Sequence, residues 1–199
     1  MSLVNVLMEQ LGGGTARQIG QQLGLDESTA SKAIAGALPM VVGGLARNAQ
    51  QQGGADALLG ALDRDHDGSV LDDLSGFLGS GAGSQGESIL GHVFGQRKPA
   101  VESALGQVSG LDSAKAGQLM AMLAPIVMGA LGKQRRQQGL DAGGLAAMLG
   151  QERERAGGSA SEAMGMVGKL LDRDGDGDFK DDVAKLGASL LGGLFGGKR

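Results

Sequence analysis

The chain has 199 residues, of which 39 are Gly and 4 are Phe, with no Trp, Tyr or Cys, and its formal net charge is −4. The absence of cysteine excludes disulfide frameworks, thiolate-ligated zinc, iron–sulfur clusters and thiol nucleophiles. Two histidines leave little for His-rich metal sites, and four Phe leave little for stacking nucleic-acid bases.

The first ten residues, Met1 to Gln10, carry no basic segment followed by an apolar one. They do not read as a secretory signal, so the expected compartment is the cytoplasm, with export lacking a cleavable signal as the alternative. Ile19 to Ile34 then reads like a helix-turn-helix, with Gly24 ending one helix and Asp26 capping the next. Residues 16–35 thus raise a nucleic-acid-binding alternative. Against it stand the apolar run that follows directly and the absence of a basic footprint. A homeodomain-like arrangement used only for packing is the better reading.

Residues 33–46 and 116–132 are the longest stretches without a charge. Both fall short of the ~20 apolar residues that span a bilayer, and read as core helices. Pro39 and Pro125 interrupt them, which predicts a kink or a split in each. Gly36, Gly43, Gly44, Gly117, Gly129 and Gly132 fall within these helices. Each costs about 0.5–1 kcal/mol relative to Ala, so either helices approach closely there or the glycines are compositional drift. Good helix formers dominate elsewhere, and no run of β-branched and aromatic residues predicts a strand.

The charge is concentrated. Residues 63–73 and 172–182 each carry a net −4 and together hold half of the 22 acidic side chains, while the rest of the chain is +4. The first window, with Asp63, Asp65, Asp67, Gly68, Ser69, Asp72 and Asp73, begins like an EF-hand loop. So does the second, with Asp172, Asp174, Asp176, Gly177, Asp178, Asp181 and Asp182. Three Asp spaced two apart wrap a hard cation if the chain turns sharply at the sixth position, where both windows have Gly; the seventh offers a backbone carbonyl. The bidentate Glu of a standard twelfth position is missing: Leu74 and Val183 stand there, with the Asp pairs at ten and eleven. These are contracted loops, predicted to bind two Ca²⁺ in preference to Mg²⁺, which would cancel the formal charge of −4. The alternative is a pair of acidic surface turns that bind nothing tightly.

The chain also repeats itself. Shifted by 86 residues, Leu25-Asp26 falls on Leu111-Asp112, Pro39 on Pro125 and Gly43 on Gly129. Shifted by 109, the acidic windows coincide; shifted by 101, the block from Ile89 to Gly95 meets that from Leu190 to Gly196. Two tandem homologous helical repeats are expected, residues 1–98 with the loop at 63–73 and residues 99–199 with the loop at 172–182. No catalytic constellation is present: Gly129-Ala130-Leu131-Gly132-Lys133 has the wrong spacing for a P-loop, and His92 has Gly193 as its counterpart.

Gly86-Glu87-Ser88-Ile89-Leu90-Gly91-His92-Val93-Phe94-Gly95, Ser109-Gly110-Leu111 and Met122 to Gly129 carry a resemblance to the bacterial family called domain of unknown function 937, which includes YidB-like proteins. It covers about residues 20–150. It implies a helical fold with a homeodomain-like helix arrangement and brings no activity or catalytic residue. The expectation is an all-α, two-repeat, non-enzymatic chain that binds calcium and serves as a structural or protein-interaction module. Helix-turn-helix DNA binding is one alternative. A membrane-active role for the Gly-rich amphipathic tail at 188–195 is the other. Neither nucleic acid nor membrane is the expected partner.

Overall fold

The computed structural model describes residues 2–80 and 83–171, with side chains through Ala156. Nine α-helices, and no strand, occur among them. They are α1 (Leu3–Gln10), α2 (Gly14–Leu23), α3 (Glu27–Ala49), α4 (Gly54–Asp65), α5 (Leu74–Gly79), α6 (Gly83–Phe94), α7 (Lys98–Ser109), α8 (Ser113–Gln138) and α9 (Ala142–Leu171). Short 3₁₀ turns stand at Ser69–Leu71 and Gly95–Arg97. The fold is all-α. The chain divides into two compact units, Met1–Glu154 and Arg155–Arg199; the account below concerns the first.

Two long helices organise this unit. From Leu119 to Leu131 nearly every residue of α8 is buried, as befits a helix surrounded by others. It packs against α3, α6 and α7. One apolar stripe of α3 is buried, including Ile34, Leu38, Val41, Val42 and Leu45. This helix contacts α1, α2, α4, α6 and α7 as well. Helices from both sides of residue 98 therefore share one core. Both α3 and α8 have the length and apolarity to cross a membrane; half of the apolar window of α3 and 78% of that of α8 are buried within the fold.

Neither proline splits its helix: Pro39 lies inside α3 and Pro125 inside α8. Pro125 has no N–H for the carbonyl four residues earlier, that of Ala121. The backbone of Gly86 on α6 lies against that same carbonyl, so close that a Cβ on Gly86 would sit 1.7 Å from the oxygen. The missing bond is thus located where another helix makes its closest approach.

Local signals set the helix ends. Asp26 accepts hydrogen bonds from the Thr29 amide (2.9 Å) and hydroxyl (2.6 Å), and Asp112 accepts one from the Lys115 amide (2.8 Å). The Thr29 hydroxyl first, then the amide, holds the Asp26 carboxyl below the usual carboxylate range. A carboxyl depressed by folding contributes stability above its unfolded pKa, about 3.9, and loses it as pH falls through the folded value. The melting temperature should therefore drop on acidification below pH ~4, and Asp26→Asn should flatten that drop. A circular-dichroism melt series from pH 6 to 2 measures it; parallel curves for the two proteins would refute the assignment. Just before each cap, Gly24 (φ 64°) and Gly110 (φ 76°) take the left-handed conformation. The following amides, Leu25 and Leu111, reach back to the carbonyls of Gly20 and Gly106, a Schellman-type closure.

Candidate functional site

The acidic loop 63–73 is laid across α8. Gly68 turns the chain at φ 87°, the conformation expected at the sixth loop position. A Cβ on Gly132 would lie 2.0 Å from the His66 carbonyl oxygen, and one on Gly129 would lie 2.3 Å from Val70 Cγ1. Two glycines of α8 thus form the seat of the loop, and Val70, the apolar eighth residue, rests on one of them.

The predicted ligands of this loop do not all face one point, although Asp65, Asp67, Ser69 and Asp73 line one cavity of about 300 Å³. Helix α4 runs on to Asp65, so Asp63 and Asp65 are both helical. Residues two apart on a helix diverge by about 200° around its axis. Asp63 accordingly meets Arg135 of α8, with Nη1 donating to Oδ1 at 2.6 Å. Asp65 and the adjoining His66 line a cavity of about 620 Å³, to which His92 also contributes. Asp67 turns back on its own loop and accepts bonds from the Ser69 amide (3.0 Å) and hydroxyl (2.6 Å). The Ser69 hydroxyl, then its amide, holds the Asp67 carboxyl below the usual range, and the charge of Arg136 adds a smaller effect. The Ser69 carbonyl, expected at the seventh ligand position, accepts the Asp72 amide at 3.0 Å. Asp72 stands 4.0 Å from Lys133, and Asp73 caps α5 by accepting the Gly76 amide at 2.8 Å. Among the described residues no three His, Asp or Glu side chains form a group able to hold a metal ion. Asp172, Asp174, Asp176, Asp178, Asp181 and Asp182 lie outside the described residues, as does the tail at 188–195.

The counter-charge for this loop is basic protein. Lys133, Arg135 and Arg136 end α8 and surround it, an arrangement the sequence reading missed although the cluster was visible beside an apolar helix. Burial pushes the His66 imidazole below its ordinary pKa, and the Asp65 charge opposes the shift. His92 is exposed; its Nδ1 is 2.8 Å from the Ser88 carbonyl, which fixes that nitrogen as the donor. A second missed residue is Glu152, only 3% exposed, whose carboxylate accepts the Ser2 hydroxyl at 2.5 Å and ties down the start of α1.

Helices α2 and α3 are joined by a short turn at Gly24 and pack on each other. Several polar side chains, chiefly of α2, are used within the fold. Arg17 pairs with Glu27 at 2.9 Å, and Gln18 and Gln22 each donate at 3.0 Å to the Ser75 and Leu78 carbonyls of α5.

Residues 5–134 match the model of the family described as bacterial protein of unknown function (DUF937). The chain belongs to that family. Neither a curated protein nor a solved structure matches it.

Proposed function

We propose that this member of the DUF937 family is a non-enzymatic calcium-binding module, structural or protein-interacting, with EF-hand-like loops at 63–73 and 172–182. The carrying observation is the Asp-x-Asp-x-Asp-Gly pattern occurring twice, with Gly68 already turned at φ 87° in the first copy. Loading the first loop requires two local changes. The last turn of α4 must open so that Asp63 and Asp65 face one point, and Arg135 must release Asp63. Calcium would then take over a charge balance now held by α8. Duplication supports the reading of two sites: the turn at Gly24 and that at Gly110 stand 86 residues apart, each followed by Leu and a capping Asp.

Calorimetry tests this. Titrating Ca²⁺ into the apo protein should release or absorb heat with two equivalents. Millimolar Ca²⁺ should raise the melting temperature by mass action, about 2.7 kcal/mol at a hundredfold excess over Kd. Absence of both effects would sink the proposal. Asp67→Asn combined with Asp65→Asn should remove one equivalent.

The helix-turn-helix alternative draws on the shape of α2 and α3 alone, because the polar side chains named above already serve α5 and each other. A salt-dependent shift of DNA in a gel would restore it.

A further inference from the structure

We propose that the cavity between α4 and α6 binds a primary ammonium ion carried on an apolar body, an arylalkylamine. Both helices pack on α8, and α3 completes the walls. The cavity holds about 620 Å³, within the range of small-molecule sites. Its bed takes one buried side chain from each of four helices: Leu45 of α3, Leu58 of α4, Val93 of α6 and Met128 of α8.

The mouth carries hydrogen-bond acceptors. Asn48 Nδ2 donates to the His92 carbonyl at 2.9 Å, and a backbone carbonyl can only accept, so the amide cannot be reversed. Its Oδ1 is left over. His92 Nδ1, 2.8 Å from the Ser88 carbonyl, must carry a proton by the same reasoning, which leaves Nε2 of the neutral ring an acceptor. Asn48 and His92 both line the cavity, and the bond between them holds them side by side. His92 is exposed and Asn48 half-buried, so these acceptors stand at the rim, above the buried apolar bed.

An alkylammonium fits this pattern because it has three N–H donors and no acceptor. The helix ends favour the same sign. Helix α3 ends at Ala49 and α6 at Phe94, so two carbonyl ends meet where Asn48 bonds to His92, each with about half a negative charge. The N-terminus of α4 offsets one of them, since a Cβ on Gly54 would collide with the Asn48 carbonyl oxygen. Arg47, next to Asn48 in sequence, does not line the cavity. Arg64 and Asp65, of opposite charge, line it at the far end of α4. The head site thus lies at the opposite end of α4 from the acidic loop and does not depend on calcium.

The test is titration of phenylbutylamine into the full chain at about pH 8, where imidazole is neutral and a primary amine is charged. Calorimetry and the Met128 methyl resonance report on it. Saturable binding of one equivalent with a shift of that methyl is expected. His92→Phe, which keeps a ring and removes the acceptor, should weaken it at least about tenfold. Ala61→Phe, from a half-buried wall position on α4, should abolish it while the melting temperature holds. The trimethylammonium analogue has the charge but no donor, and phenylpentanoate has the shape but only acceptors. Both should bind at least about tenfold more weakly. Asp67→Asn, in the acidic loop and off the cavity, should leave the affinity unchanged. Any of three results would overturn the proposal: equal affinity for either analogue, unchanged affinity in His92→Phe or Ala61→Phe, or a loss in Asp67→Asn as large as that in His92→Phe.

Discussion

Gly86→Ala should destabilise the fold by about 3 kcal/mol or more, read as a lower midpoint of urea unfolding. The new methyl would stand 1.7 Å from the Ala121 oxygen and 2.5 Å from its carbon. Both obstacles are backbone, so no rotamer change relieves them, and α6 must lift from α8 or unwind. The lifted helix would withdraw Leu90, which is fully buried, from the core. Gly91 supplies the control. It lies on the same helix, and a Cβ there meets nothing within 4 Å. Gly91→Ala should therefore stabilise by about 0.5–1 kcal/mol through helix propensity alone. Two variants with the same chemical change and opposite signs isolate the packing contact; equal effects would refute it.

Arg135→Gln should tighten calcium binding by about tenfold, equivalent to about 1.4 kcal/mol. The guanidinium occupies Asp63, the first ligand in the proposed shell, at 2.6 Å. A divalent ion must displace it, and a charge-assisted hydrogen bond has a strength of that order. Without calcium the same variant should lower stability by about 1–2 kcal/mol, because it loses the partly exposed pair with Asp63 and the Nε bond to the Leu140 carbonyl at 3.1 Å. Arg17→Gln is the matched control. It removes the same charge, from a pair with Glu27 remote in sequence from the loop. If both variants shift calcium affinity equally, the effect is net charge, and the exchange at Asp63 is refuted.

Features written into neighbouring residues were legible in the sequence. The caps at Asp26 and Asp112 and the turn at Gly68 each depend on residues within a few positions, and all are present. The prolines were legible only as a disturbance. Whether a helix breaks at Pro125 depends on its packing, and α8 is enclosed by α3, α6 and α7, which hold it continuous. The helix-interior glycines divided between the two readings. Gly44, Gly129 and Gly132 leave no room for a Cβ, Gly36 leaves little, Gly117 meets only the movable carboxylate of Glu102, and Gly43 faces open space.

The loop was the hardest to read, for a physical reason. The alternation of Asp63, Asp65 and Asp67 has the period of a chain wrapping an ion, but α4 continues through Asp65 and sends the first two carboxylates apart. The partner of Asp63 lies 72 residues away on α8, a distance no local pattern encodes.

The seat of that loop has a mechanical consequence. At Gly132 the His66 carbonyl of the loop rests on bare main chain, and at Gly129 only the short, branched Val70 side chain stands between loop and helix. Displacement of the loop would pass to the axis of α8 as a rigid load, and α8 contacts α3, α6 and α7 along its length. The amides of α8 between Gly129 and Lys133 are therefore the place to listen for the loop. Their exchange with deuterated solvent should respond to any event at 63–73.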